Sequence, residues 1–121
     1  MNWNSLTLDE FQSSLASKSA TPGGGTASAV ALGQSAALVA MVSRLTMGNE
    51  KWQDGWNHSQ FALETASEVM ESSNRLAIED SQAFDEVMNA FKLPKTTEVE
   101  TRLRKESIRK ATLLAAEVPY N

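Results

Sequence analysis

Adjacent carboxylates at Glu79 and Asp80 are the side chains of this 121-residue sequence best suited to proton transfer. They lie inside a helical pattern beside Ile78 and Phe84, where a buried carboxylate can accept a proton from a reacting group. An exposed acidic pair on a helix surface gives the same pattern. The residues alone leave both interpretations open.

Three successive glycines, Gly23, Gly24 and Gly25, precede a long helical pattern. Unpaired amides and the dipole at a helix N-terminus favour negative charge, so a carboxylate or phosphate can bind there beside the hydroxyls of Thr21 and Thr26. No Gly-Lys-Ser/Thr follows and no strand precedes, which excludes a nucleotide P-loop and a Rossmann turn. Spacing alone favours a simpler interpretation, a flexible turn that enters the helix.

Two isolated residues complete the candidates for chemistry. Lys92 stands just before Leu93 and Pro94, where it either interacts with a helix C-terminus or meets an anionic ligand. His58 is the single histidine, and we expect it on the surface. Because there is one His and no Cys, we expect neither a zinc site nor a Ser-His-Asp triad.

Composition narrows the class of protein. The net charge of −4 argues against nucleic acid as a partner, because a phosphate backbone is bound mainly by clustered Lys and Arg. A sequence without cysteine has no disulfide scaffold, and its first residues lack the basic and apolar regions of a secretion signal. We therefore expect a cytoplasmic protein.

Four helices are predicted to position these residues. Thr7 and Glu10 form a predicted capping box, followed by a short amphipathic helix to about residue 17 and a loop over residues 18–25. A second helix covers residues 26–47 and stops at Gly48. A third covers residues 51–91, with Phe61 on its apolar face and a possible interruption at residues 77–80, and ends before Pro94.

The fourth helix is predicted to begin with a capping box formed by Thr97 and Glu100 and to stop before Pro119. No segment alternates as a strand does. The sequence therefore predicts an all-α fold, an antiparallel multi-helix bundle, in a single domain over residues 1–121.

The second predicted helix is unusually apolar. Residues 26–43 carry no charge, which is close to the length that spans a bilayer, although a helix buried in a soluble bundle has the same pattern and is preferred here. Small residues every fourth position, Gly25, Ala29, Gly33 and Ala37, predict close helix packing. Three mostly amphipathic neighbours cover such a helix poorly, so we expect self-association or a missing C-terminal part.

Five ordered segments closely resemble the cyclodeaminase/cyclohydrolase domain of the formiminotransferase-cyclodeaminase family. They run in order across nearly the whole chain, which makes the resemblance specific. The segments are SATPGGGT (19–26), MVSRLTMG (41–48), EDSQAF (79–84), AFKLPK (90–95) and AAEVP (115–119).

This resemblance implies an all-helical folate enzyme that forms a homodimer or higher homo-oligomer. Members either cyclise 5-formiminotetrahydrofolate with loss of ammonia or hydrolyse 5,10-methenyltetrahydrofolate to the 10-formyl form. Family domains have roughly 200 residues, and their C-terminal helices are absent from this sequence. A truncated, catalytically inactive dimerisation or folate-binding module is therefore the alternative prediction.

The resemblance also supports assignments of residues to roles. We expect Asp80, with Glu79 as the second choice, to move protons without a metal or a tightly bound cofactor. We expect the folate tail, which is anionic, to be bound by the loop. The expected substrate-binding residues are Thr21, Pro22, Gly23, Gly24, Gly25, Thr26 and Lys92.

Overall fold

The computed structural model describes residues 2–118, which form four α-helices and two short 3-10 helices. The α-helices are α1 (Leu8–Leu15), α2 (Gly24–Met47), α3 (Trp56–Phe91) and α4 (Glu98–Glu117), and the 3-10 helices are Trp3–Ser5 and Glu50–Gly55. No strand occurs among the described residues. The predicted all-α class is confirmed.

Helix α1 begins with the predicted capping box. The Glu10 amide donates to the Thr7 hydroxyl at 3.1 Å, and the Thr7 amide donates to the Glu10 carboxylate at 2.8 Å. Two amides that the helix leaves unpaired are thereby satisfied. The helix ends at Leu15, two residues before the predicted end.

Helix α2 begins at Gly24, so the prediction that Gly24 and Gly25 belong to the loop is wrong. No glycine among the described residues has a positive φ, and these two adopt helical backbone angles that any residue can adopt. The helix ends at Met47, and the amide of Gly48 bonds to the Arg44 carbonyl, as the predicted stop requires.

Helix α3 is uninterrupted over 36 residues, so the interruption expected at residues 77–80 does not occur. Its predicted first turn is instead a separate 3-10 helix, which has a kink at Trp52 (φ −109°, ψ 26°). The indole of Trp56 donates to the Thr46 carbonyl at 2.9 Å, which ties the start of α3 to the end of α2.

Helix α4 has only half of its predicted capping box. Thr97 is the N-cap and accepts from the Glu100 amide at 3.1 Å, but the Glu100 carboxylate accepts from the Thr96 hydroxyl instead of from the Thr97 amide. The Arg104 guanidinium donates to the Phe91 carbonyl and lies 5.5 Å from the centre of the Phe91 ring. Pro119, the predicted helix stop, lies outside the described residues.

The chain divides into two compact units. One comprises the described residues up to 27 together with those from 76 onward, and the other comprises residues 28–75. In the second unit α2 and α3 run antiparallel, because Trp56 bonds to Thr46 whereas Ser73 packs on Gly33. A Cβ atom on Gly33 would clash with the Ser73 hydroxyl, which confirms the close packing predicted from the small residues.

Alanine-sized side chains form the core of the second unit. Ala36, Ala40 and Ala66 are buried together, with Leu63 and Val69 packed against them. Phe61 was expected on the apolar face of the third helix, but it is 72% exposed. Because α2 and α3 approach closely through small residues, larger side chains fit less well between them.

The outer face of α2 is apolar and uncovered in this chain. Among the described residues, α2 is long and apolar enough by length and composition to cross a membrane, although the core helix of a soluble protein passes the same test. Only 17% of its most apolar window is buried, and the mean hydropathy of that window is 1.5. The exposed large side chains are Leu32, Leu38, Val39, Met41, Val42 and Leu45.

Candidate functional site

Residues 21–25, here called the glycine segment, and the middle of α3 meet in the first unit. Pro22 is buried and follows a cis peptide bond from Thr21, and α2 begins two residues later. The Thr26 side chain is fully buried, and its hydroxyl donates to the Ala77 carbonyl on α3 at 3.4 Å. This contact places the first turn of α2 against the third helix.

At Gly25 the first turn of α2 packs directly against the Asp80 carboxylate of α3. A Cβ atom on Gly25 would clash with both carboxylate oxygens of Asp80, whereas a Cβ atom on Gly24 would meet nothing within 4 Å. Gly25 therefore makes room for the half-buried Asp80 carboxylate, and Gly24 has no such role. Asp80 lies beside the first turn of α2, where the helix dipole favours negative charge.

A cavity of about 260 Å³ opens between the glycine segment and α3. It brings together five of the predicted substrate-binding residues, Thr21, Gly23, Gly24, Gly25 and Thr26, with Asp80. Pockets for drug-sized ligands commonly have about 300 to 1,000 Å³, so this one has room for only part of a folate.

The remaining predicted residues do not line this cavity. Pro22 is buried within the loop, and Glu79, the neighbour of Asp80 on α3, is not among the residues that line the cavity. Lys92 is exposed and lies twelve residues after Asp80, a distance of about 18 Å along a helix. Of the two predicted carboxylates, only Asp80 is therefore in the cavity.

Three residues near Asp80 were not among the predicted site residues. Ser81 is buried and lines the cavity, as does Phe84. Asp85 accepts a hydrogen bond from the Thr21 hydroxyl at 2.8 Å. Ala77 and Phe84 lie three and four residues from Asp80, and Ser81 lies four residues from Ala77 and three from Phe84. Residues at these spacings share a helix face, and this spacing was the available signal.

The carboxylates of Asp80 and Asp85 determine which ligand groups the cavity can bind. Thr21 donates its hydroxyl proton to Asp85, so this hydroxyl offers a ligand only its oxygen, as an acceptor. An anionic tail entering the cavity would also meet the Asp80 carboxylate. The arrangement thus suits a cationic or N–H-rich group better than the folate tail that we expected there.

Other groups that sequence reasoning considered lie apart from this cavity. His58 is exposed, as predicted, and lines a separate groove with residues of α2 in the second unit. Within residues 2–118, no group of three or more His, Cys, Asp or Glu side chains converges as metal ligands would.

Comparison with known proteins gives the family and two named relatives. Residues 7–121 match the profile of the family described as formiminotransferase-cyclodeaminase. A methenyltetrahydrofolate cyclohydrolase of Methylorubrum extorquens is 37% identical over 113 residues, which is 93% of this chain and 54% of the relative. A formimidoyltransferase-cyclodeaminase of Gallus gallus is 30% identical over 112 residues, which is 93% of this chain and 21% of the relative.

The chain thus spans about half the length of the first relative and about a fifth of the second. The matched region includes the glycine segment and Asp80.

Proposed function

The chain belongs to the formiminotransferase-cyclodeaminase family, and we propose that it hydrolyses 5,10-methenyltetrahydrofolate to the 10-formyl form. The observation that carries this proposal is the Asp80 carboxylate in the cavity at the start of α2. The greater identity to the cyclohydrolase, 37% against 30%, favours hydrolysis over cyclisation with loss of ammonia.

Charge supports Asp80 as the reacting carboxylate. The one-carbon unit of 5,10-methenyltetrahydrofolate is an amidinium cation that bridges N5 and N10. A cavity with a carboxylate on its wall favours such a cation and disfavours the anionic glutamate tail. We propose that the reacting end of the folate occupies this cavity, with Thr21, Gly23, Gly24, Gly25 and Thr26 forming its loop side.

The proposed reaction adds water to the bridging carbon and needs three proton transfers. Water attacks the bridging carbon while Asp80 accepts a proton from the water, which gives a neutral tetrahedral intermediate. Asp80 then returns the proton to N5 as the bond from N5 to the carbon breaks, and the hydroxyl proton of the intermediate leaves to solvent. The products are the 10-formyl compound and one released proton, so atoms and charge balance.

The tail of the substrate needs a cation elsewhere. Lys92 is exposed and about 18 Å from Asp80 along the helix direction. A folate is an elongated molecule, and we propose Lys92 as a contact for its glutamate carboxylates outside the cavity. Replacement of Lys92 by Met is expected to raise the KM without lowering kcat.

The direct test is the loss of the near-ultraviolet absorbance of 5,10-methenyltetrahydrofolate with purified protein, compared with buffer alone. Acceleration supports the hydrolase. Ammonia release from 5-formiminotetrahydrofolate, measured in parallel, would instead support the cyclodeaminase named in the second relative. Folinic acid binding without either reaction would support the inactive folate-binding module.

We also propose that the outer face of α2 packs against a second copy of this chain. Leu38, Met41, Val42 and Leu45 recur at spacings of three and four residues, so they share one exposed face. A contiguous apolar face of this kind is typical of a protein interface. Recovery in the soluble fraction without detergent, with a dimer mass by light scattering, tests this proposal against membrane insertion.

We propose that the protein is cytoplasmic and works without a tightly bound cofactor. Cell fractionation tests the first, and native mass spectrometry of the purified active protein tests the second.

A further inference from the structure

Asp85 makes a contact that no sequence pattern indicated. Its carboxylate accepts a hydrogen bond from the Thr21 hydroxyl at 2.8 Å, across 64 residues of sequence. A bond from a hydroxyl to a charged carboxylate is about twice as strong as one between neutral groups. The contact therefore ties the beginning of the glycine segment to α3.

Two carboxylates of α3 contact the two ends of the same segment. Asp85 bonds to Thr21 at the start, and Asp80 packs against Gly25 at the end. The two carboxylates are five residues apart on the helix, or about 7.5 Å. Between these contacts Pro22 is buried, whereas a Cβ atom on Gly24 would meet nothing within 4 Å.

We propose that Asp85 is a positioning residue, which fixes the loop side of the cavity over α3 by holding Thr21. Asp85 is exposed and does not line the cavity, so it acts on the ligand through Thr21 alone. This inference rests on the proposed function for its effect on the substrate. The contact with Thr21 is independent of that function.

The position of Asp80 predicts whether loss of the hydrogen bond between Thr21 and Asp85 changes KM or kcat. Asp80 is carried by α3, and loss of the tie at Asp85 leaves α3 unbroken. A loosened loop therefore weakens substrate binding while the bound substrate still meets Asp80, which raises the KM and leaves kcat nearly unchanged. A variant that merely unfolded part of the protein would lower the apparent kcat at constant KM.

The test uses matched variants at both ends of the hydrogen bond. Asp85→Ala and Thr21→Val each remove it, whereas Asp85→Asn and Thr21→Ser each keep an acceptor or a donor. Glu86→Ala removes the neighbouring exposed carboxylate on α3 and serves as the control for charge. The double variant Thr21→Val with Asp85→Ala measures whether the two residues act through each other.

We expect about a tenfold rise in KM in each of the two disrupting variants, and no further rise in the double variant. We expect Asp85→Asn and Thr21→Ser to stay within about threefold of the original KM, and Glu86→Ala to leave it unchanged. A KM within twofold in Asp85→Ala, or effects that multiply in the double variant, would overturn the proposal.

Amide hydrogen exchange separates this inference from the proposed function. Peptides covering residues 19–27 should exchange faster in Asp85→Ala and Thr21→Val than in the unmodified protein or in Glu86→Ala. If the unmodified protein neither hydrolyses the methenyl compound nor binds folinic acid, the proposed function fails, and exchange alone decides the role of Asp85. Unchanged exchange in both disrupting variants would then reject it.

Discussion

Two stretches of helix α2 use small residues in different ways. In its first turn, Gly25 leaves space for the Asp80 carboxylate, and the neighbouring Thr26 bonds to a backbone carbonyl of α3. Further along, Gly33 and Ala40 bring α2 against α3 without any ionisable group between them. The first stretch positions the carboxylate that we propose as the reacting group, whereas the second provides close packing.

The difference shows that the same sequence signal, a small residue, has two meanings. Where the facing residue of α3 is an aspartate beside a cavity, the space holds the carboxylate of the proposed reaction. Where the facing residue is Ser73 or Ala66, the space serves packing, and the large residues of α2 are left on the opposite, exposed face. Mutations at the two stretches should therefore separate activity from stability and association.

The largest expected effect is at Asp80. Asp80→Asn keeps the shape of the side chain but cannot accept a proton, so kcat should fall by about 10² to 10⁴-fold. Glu79→Gln is the matched variant, since this neighbour lies outside the cavity and should retain kcat within about twofold. Initial rates of methenyl hydrolysis measure both.

The reverse ranking of these two variants would move the acid/base role to Glu79. Equal folinic acid affinity in the original protein and in Asp80→Asn would show that the loss lies in the chemical step.

The next effect is at Gly25, and Gly24 supplies its control. In Gly25→Ala the new methyl group displaces the Asp80 carboxylate, and a shift of about 1 Å at a reacting group can cost about 10²-fold in rate. The side chain of Asp80 can rotate, so the free energy of unfolding should fall by only about 1 kcal/mol.

Gly24→Ala meets open space within the same helix turn, so its kcat should be unchanged and its free energy of unfolding raised by about 0.4 to 1 kcal/mol. Urea unfolding and initial rates on both variants check the pair. Equal loss of activity in the two alanine variants would contradict the proposed contact with Asp80.

A smaller effect on folding, with a clear effect on association, is expected at Leu38. This side chain is 61% exposed on the outer face of α2, so Leu38→Gln should change the free energy of unfolding of a single chain by less than about 0.5 kcal/mol. Full burial of a leucine side chain stabilises by about 1.5 to 3 kcal/mol. A symmetric dimer of the variant loses two such leucines, one from each copy.

The dimer should therefore dissociate at a concentration at least about tenfold higher, as followed by light scattering over a dilution series. Leu8→Gln is the control, because Leu8 is 68% exposed but lies on α1. An unchanged mass in Leu38→Gln, or an equal change in Leu8→Gln, would argue against this face.

Local signals predicted the helices well. The capping box at Thr7 and Glu10 and the stop at Gly48 depend on residues within one or two turns, so the sequence contains all the needed information. The start of α2 at Gly24 was missed, because glycines have low helix propensity and a run of three glycines is typical of a loop.

The candidate site was predictable in part, for the same reason. Asp80 and the glycine segment were recognisable by residue type, but their contact joins positions 55 residues apart. Asp85 gave no signal, because an acidic residue on a helix surface is ordinary and its partner Thr21 is distant in sequence. The prediction that Phe61 lies on the apolar face was wrong. Its spacing fits a core position, but small alanine side chains fill the core between α2 and α3.

The smallest expected effect lies far from both stretches of α2, at the start of α1. Hydrogen bonds from the amide and the hydroxyl of Thr7 lower the pKa of the Glu10 carboxyl below its ordinary value of 4.5. Because the pKa is lower in the folded chain, the ionised carboxylate stabilises the fold above pH 4.5, and this contribution is lost as the pH falls through the lower folded value. Glu10→Gln keeps an acceptor for the Thr7 amide but has no charge, so it should be slightly less stable than the original at pH 7, and this difference should shrink as the pH falls below 4.5 through the lower folded value. Thermal unfolding of the two proteins, followed by circular dichroism from pH 7 to pH 3, measures this difference in stability. A difference that grows as the pH falls would contradict the lowered pKa of Glu10.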